Sequence, residues 1–148
     1  MSAQNYKPYV KNYTKQVYKA DNQNWSISAD KQGILYFANN KGLLEFDGSN
    51  WFLNEMPGKA GLRSVYAQED NKIYVGGYEE FGYWQINNRG EKKYISLSDT
   101  LSTNDCHNDE IWKIEKFGGD IYFQSFSTVF VYNGNKIKIL EPESAVVF

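Results

Sequence analysis

The chain carries three copies of one pattern. The first runs Trp25-Ser26-Ile27-Ser28-Ala29-Asp30, then Gly33-Ile34-Leu35-Tyr36-Phe37, then Leu43-Leu44-Glu45-Phe46-Asp47-Gly48. The second runs Arg63-Ser64-Val65-Tyr66-Ala67-Gln68, Lys72-Ile73-Tyr74-Val75-Gly76 and Phe81-Gly82-Tyr83-Trp84. The third runs Trp112-Lys113-Ile114-Glu115-Lys116, Asp120-Ile121-Tyr122-Phe123 and Val129-Phe130-Val131-Tyr132-Asn133-Gly134. Tyr36, Tyr74 and Tyr122 hold one place in the pattern, and Phe46, Trp84 and Tyr132 another. A fourth apolar run closes each copy: Trp51-Phe52-Leu53, Lys93-Tyr94-Ile95 and Lys136-Ile137-Lys138-Ile139-Leu140. Short runs rich in Val, Ile, Tyr and Phe, separated by Gly, Asn and Asp, are strands joined by tight turns. Four antiparallel strands per roughly 40 residues is the blade of a β-propeller. A β-sandwich does not need near-identical copies. The expected fold class is all-β, with about three four-stranded antiparallel blades over 24–57, 62–96 and 111–140, and a further blade starting at 144–148.

Residues 1–23 are less regular. Tyr6, Tyr9, Val10, Tyr13, Val17 and Tyr18 read either as one or two outer strands that close a ring or as a flexible lead-in. Propellers close with about four to eight blades, so three make an incomplete ring. An open arc leaves strand edges and apolar faces at both ends. Either this is part of a larger propeller or the arcs close by self-association; the first is the expectation taken forward.

Composition agrees with β structure: 4 Trp, 12 Tyr and 9 Phe make 17% of the chain. Lys plus Arg is 16 and Asp plus Glu is 18, and no basic stripe offers nucleic acid a footing. One cysteine, Cys106, rules out an intrachain disulfide. No apolar run reaches the roughly 18 residues of a membrane helix, so no membrane contact is expected from this segment. Met1-Ser2-Ala3-Gln4-Asn5 has neither the basic nor the apolar part of a signal peptide.

The residues argue against chemistry. Cys106 and His107 are sequence neighbours, and neighbours in extended chain point apart. One Cys and one His are too few for an ordinary zinc site. No Gly-x-Ser-x-Gly elbow accompanies His107. Gly76-Gly77 lacks the Gly-Lys-Ser/Thr of a phosphate loop, and Asp47-Gly48-Ser49-Asn50 lacks most of a calcium loop. Glu79, Glu80, Asp109 and Glu110 are acids of the kind a glycoside hydrolase pairs, but a three-blade arc encloses no cleft for them. The expectation is no enzyme, no cofactor and no metal; a propeller hydrolase or lyase is the lesser alternative.

Blade geometry places the start of each first strand and each turn between second and third strands on one side. That side gathers Trp25, Asn39, Arg63, Tyr78, Glu79, Glu80, Asp109, Glu110, Trp112 and Phe126 as candidate ligand contacts. The long connection from Ser96 to Asp109 ends there too, and insertions in repeat proteins map to a binding face. Aromatic rings among Asn, Asp, Glu and Arg suit an oligosaccharide, a peptide or another domain. The plainer readings stand beside this: Trp25 and Trp112 as blade packing, Glu79-Glu80 as a solvated turn.

The residues at 26–48 and the run Gly76-Gly77-Tyr78-Glu79-Glu80-Phe81-Gly82-Tyr83-Trp84 resemble the two-component regulator propeller repeat. That repeat fills the sensor ectodomains of Bacteroidetes hybrid two-component systems and related triple-tyrosine-motif regulators. The resemblance covers about 7–140 and departs at 87–110, where the connection is about ten residues long in excess. It implies a periplasmic, non-catalytic ligand-sensing or domain-scaffolding segment, responding to polysaccharide breakdown products. The remaining blades, or self-association, would complete the ring. A self-assembling carbohydrate-binding module is the alternative.

Overall fold

The computed structural model describes residues 8–67, 71–102, 105–106 and 108–144. Tyr6, His107 and all but Ser144 of the expected further blade lie outside them. The first blade contains β1 (Asn24–Ala29), β2 (Leu35–Asn39), β3 (Gly42–Phe46) and β4 (Trp51–Asn54). The second contains β5 (Leu62–Ala67), β6 (Lys72–Gly77), β7 (Phe81–Ile86) and β8 (Lys92–Ser96). The third contains β9 (Lys113–Phe117), β10 (Asp120–Gln124), β11 (Val129–Tyr132) and β12 (Ile137–Leu140). Each set is a four-stranded antiparallel sheet whose neighbours in space are neighbours in sequence. These are three propeller blades in an open arc. The β9–β10 turn shows how sequence writes the fold: Gly118 and Gly119 both take positive φ, 60° and 98°, as a two-residue hairpin turn of the right twist requires.

Both faces of a blade read apolar because each blade packs between neighbours. Tyr36, Ala38 and Leu43 of the first blade form one core with Val65, Ile73, Val75 and Trp84 of the second. Tyr74, Phe81 and Tyr83 of the second form another with Ile114, Ile121, Phe123, Phe130 and Tyr132 of the third. Strand register makes Tyr36, Tyr74 and Tyr122 structural equivalents, opposite Ser28, Tyr66 and Glu115. Tyr36 and Tyr74 are 1% and 3% exposed, whereas Tyr122 faces outward from the last described blade and is half-buried.

The inner strands are clasped by serines. The Val65 and Ala67 N–H groups donate to the Oγ atoms of Ser26 and Ser28, each at 2.9 Å. The Ser64 hydroxyl donates to the Ile111 carbonyl at 2.7 Å. These bonds satisfy backbone groups that the inner edge of a blade leaves without a strand partner. One charge pair also crosses a blade boundary: Lys92 Nζ lies 2.8 Å from Glu45, whose other oxygen accepts from Asn54.

Residues 8–23 contain no strand. They run irregularly with a single helical turn, α1 (Lys15–Tyr18). Tyr13 and Tyr18 lie against the outer face of the first blade, with ring centroids 5.2 and 5.6 Å from Trp51. Tyr18 ends the helical turn and Tyr13 precedes it, whereas in a continuous strand their odd spacing of five would send the two rings to opposite faces. The insertion after β8 forms a 3-10 turn at Ser98–Thr100, and its Leu97 and Cys106 enter the core between blades two and three.

Candidate functional site

Three equivalent positions meet at one end of the inner strands. The pairing of β1 with β2 shifts between Asn24 and Ser26, and that of β5 with β6 between Leu62 and Ser64. Each shift leaves one residue, Trp25 and Arg63, outside the ladder; a bulge of this kind re-aims a side chain. Trp112, whose N–H donates to the Gln124 carbonyl at 2.9 Å, takes the matching place ahead of β9. The three side chains converge. The Arg63 guanidinium lies 4.8 Å from the Trp25 ring and 5.9 Å from Trp112, and the two indoles meet edge to face at 5.8 Å. Cation–π contact holds such a stack.

A polar frame fixes it. Arg63 pairs with Glu110 at 3.0 Å and donates to Asn40 Oδ1 at 3.2 Å. The Trp25 indole N–H donates to the same oxygen at 2.9 Å. Phe126 lies 5.7 Å from Trp112 on the far side, 50% exposed. Below the cluster, a groove of about 350 Å³ follows the three inner strands from Ser26 and Ser64 to Trp112 and Glu115.

Next to this stack the β6–β7 turn is tied to the end of the insertion. Tyr78 forms an isolated antiparallel bridge with Glu110, and its hydroxyl donates to Asn108 at 3.0 Å. The Glu79 N–H donates to the Asp109 carbonyl at 2.9 Å, and the Asn108 N–H donates to the Glu79 carboxylate at 2.7 Å. Glu79 and Asn108 both hold positive φ, 54° and 58°, a strained choice for a non-glycine residue that persists where surroundings over-determine it.

Eight of the ten sequence-selected residues therefore share this end of the arc: Trp25, Arg63, Tyr78, Glu79, Asp109, Glu110, Trp112 and Phe126. The other two are turned elsewhere. Asn39 is fully buried, its side chain joined to Asp21, Asn24 and Lys41. Glu80 accepts from the hydroxyls of Tyr94 at 2.6 Å and Ser96 at 2.8 Å, inside the second blade. In the sequence, blade geometry places Asn40, the hinge of the polar frame, on this side together with Asn39, although the candidate contacts include only Asn39. Its only signal there is a place in the turn beside Asn39, and the turn decides which of two adjacent amides faces the axis.

The acids are engaged as structural acceptors. Burial pushes the Asp109 carboxyl up, but hydrogen bonds from Ser125, Ser127 and the N–H groups of Glu110 and Ser127 outweigh it and hold the group below the ordinary aspartate range. A carboxyl held low in the folded state contributes stability above its unfolded pKa, about 3.9, and loses it as pH falls through the folded value. Acidification below about pH 4 should therefore loosen the Asp109–Ser127 clasp before the blades unfold. Amide shifts of Ser127 followed by NMR will read this, and Asp109→Asn should abolish the acid step. Burial, followed by the nearby Asp109, Glu80, Glu79 and Asp105 carboxylates, pushes the Cys106 thiol up to about 12, so it holds its proton at neutral pH and is a poor nucleophile. Among the described residues no group of three or more His, Cys, Asp or Glu is placed to hold a metal ion. No helix among them is long and apolar enough to cross a membrane. What the arrangement offers is a rigid aromatic and polar surface.

No protein-family model and no curated protein matches the sequence. Two solved structures of the extracellular domain of one protein from B. thetaiotaomicron do match in shape. The first, titled as a one-component system, superposes with TM-score 0.59 at 14% identity over 81% of this chain. The second, titled as a hybrid two-component system, gives 0.55 at 19% identity over 84%. This chain spans 16% and 17% of those two chains. At these identities the likeness is one of fold, and the fold this chain shares is that of part of an extracellular domain.

Proposed function

We propose that this chain is a non-catalytic sensing segment of the periplasmic part of a two-component-type regulator. Its blades contact a ligand at the end of the arc where the axial stack lies. The observation that carries the reading is the meeting of Trp25, Arg63 and Trp112, one residue from each blade, at the same register position. Core residues of a repeat protein touch only the next repeat; these three touch one another and leave Trp25 44% exposed, with Phe126 against Trp112. Open aromatic faces next to Asn40, Arg63 and Glu110 match a neutral oligosaccharide, whose ring stacks while its hydroxyls take polar contacts. The fold shared with an extracellular domain supports the location. The outward face of blade three, with Tyr122 and Val129, takes further blades of the same kind. Ligand bound at the axis shifts the packing between rigid blades and passes the signal on.

The test is a titration of the chain with a panel of neutral and acidic oligosaccharides, read by tryptophan fluorescence and calorimetry. Trp25→Ala should weaken binding about tenfold or more, the effect of losing one aromatic contact worth roughly 1–3 kcal/mol, with the β-sheet circular dichroism retained. A ligand that binds Trp25→Ala as tightly as the parent places the site off the axis.

A further inference from the structure

Arg63 stands in the repeat where Trp25 and Trp112 stand, and an arginine among aromatic rings is the ordinary receptor for a carboxylate or phosphate. Its surroundings deny it that role. An arginine grips an anion with two parallel N–H groups, either Nε with Nη2 or Nη1 with Nη2. Nη2 is common to both edges, and it lies 3.0 Å from Glu110 Oε1. Nη1 donates to Asn40 Oδ1 at 3.2 Å and to the Leu62 carbonyl at 3.4 Å. Nε is buried and meets no acceptor among the described residues. The Trp25 and Trp112 rings lie against the guanidinium at 4.8 and 5.9 Å. Neither edge of the fork is left whole for a visiting carboxylate.

The charges around it act in the same sense. The Arg63 and Glu110 side chains are 20% and 24% exposed, so the pair lies within reach of solvent and its neutrality is felt at the surface. Asp109, whose carboxylate accepts the Glu110 N–H at 2.9 Å, adds a negative charge beside it. Lys41, next after Asn40, is exposed, where salt screens its charge. Acceptors dominate what the polar frame presents. Asn40 Oδ1 already takes bonds from both Trp25 and Arg63, and the Glu110 carboxylate puts one oxygen on Arg63 and keeps a second. A sugar hydroxyl can donate to that second oxygen, whereas a sugar carboxylate is repelled by it.

We propose that Glu110 is the specificity-determining residue of the axial surface: by holding Nη2 of Arg63 it makes the site one for neutral, hydroxyl-bearing ligands and excludes acidic sugars. This selection operates at the surface that the proposed function assigns to the ligand, and it rests on that assignment. Without the Glu110 charge the same residues become an anion site, in which Arg63 offers Nη2 beside the open ring of Trp25.

The experiment compares the parent, Glu110→Gln and Arg63→Gln/Glu110→Gln. Tryptophan fluorescence is quenched with iodide and with neutral acrylamide at constant ionic strength, and a trigalacturonate and its methyl ester are titrated by calorimetry. Glutamine keeps the shape and one oxygen for Arg63 and removes the charge. In Glu110→Gln the iodide quenching constant should rise about twofold or more while acrylamide quenching holds, because an uncompensated cation gathers anions beside Trp25. The rise should vanish in the double variant and when Trp25→Phe is added to Glu110→Gln. The trigalacturonate should gain at least about tenfold in affinity for Glu110→Gln, and the methyl ester should change less than about threefold. Iodide quenching that is the same in the parent and in Glu110→Gln overturns the proposal, as does a parent that binds acid and ester equally well. If neither sugar binds any of the proteins while iodide behaves as expected, the filter stands and the sugar reading of the surface falls. A Glu110→Gln chain that loses its β-sheet circular dichroism while the double variant keeps it shows a pair held for packing alone, and overturns a role in selection.

Discussion

Phe123→Ala should lower the unfolding free energy by about 3–5 kcal/mol, the cost of deleting a fully buried phenyl ring. Phe123 is 0% exposed and sits at the crossing of the second core, 4.7 Å from Phe81 and 6.0 Å from Tyr74. Phe81 in turn meets Phe130 at 4.8 Å. The removed ring borders side chains of two blades, and neither sheet can bend inward far enough to fill the void without breaking its own ladder. Domains have only about 5–15 kcal/mol in total, so a large share of the stability goes with one residue. Urea unfolding followed by tryptophan fluorescence measures it. The midpoint should fall, and blade three should lose its signal ahead of blades one and two, because each blade contacts only its neighbours. A loss under about 1 kcal/mol is incompatible with Phe123 bridging two blades.

Lys92→Met should cost about 2–3 kcal/mol, toward the low end of breaking a buried ion pair because the lysine is partly wetted. Glu45 is only 4% exposed and would keep Asn54 as its polar partner after losing the cation. The reverse change is mild. Glu45→Gln keeps an oxygen for Asn54, and the Lys92 side chain, 22% exposed, can swing into water, so the cost stays near 1 kcal/mol or less. This asymmetry is the diagnostic. Equal costs for the two variants would mean that Glu45 is hydrated in the folded protein and that blade one is less closely apposed to blade two.

Blades are legible in this sequence because their information is local. The alternation in Leu35-Tyr36-Phe37 and its copies, the Asn and Gly turns, and the recurrence of Tyr36, Tyr74 and Tyr122 all lie within a few residues of one another. The equivalence of Trp25, Arg63 and Trp112 is legible in the same way, by counting from the repeat. Their mutual contact is not, because it rests on two bulges, and a bulge changes hydrogen-bond register without asking for any residue type. Glu45 reads as an ordinary outward residue next to Phe46, since its partner stands on another blade, 47 positions later in the chain. Tyr13 and Tyr18 are ambiguous for a further reason: a short aromatic-rich segment satisfies strand and helix patterns alike, and what decided between them was the waiting face of Trp51. Asn39 and Asn40 show the finest grain that sequence loses. Two identical amides in one turn are sent to opposite sides, one into the fold and one to the axis.

A repeat can be duplicated freely wherever a residue meets only the copy beside it. Along an axis this freedom ends, because there each copy faces its own duplicates. Three tryptophans at 25, 63 and 112 would have only edge and face to offer one another, the contact that Trp25 and Trp112 already make. Arginine at the middle position adds a cation within reach of both indoles, and its Glu110 and Asn40 partners give this end of the arc an asymmetry that three equal units would lack. The place where the duplicates had to become different from one another is thus the place where a visiting molecule finds surroundings that are the same from no two directions.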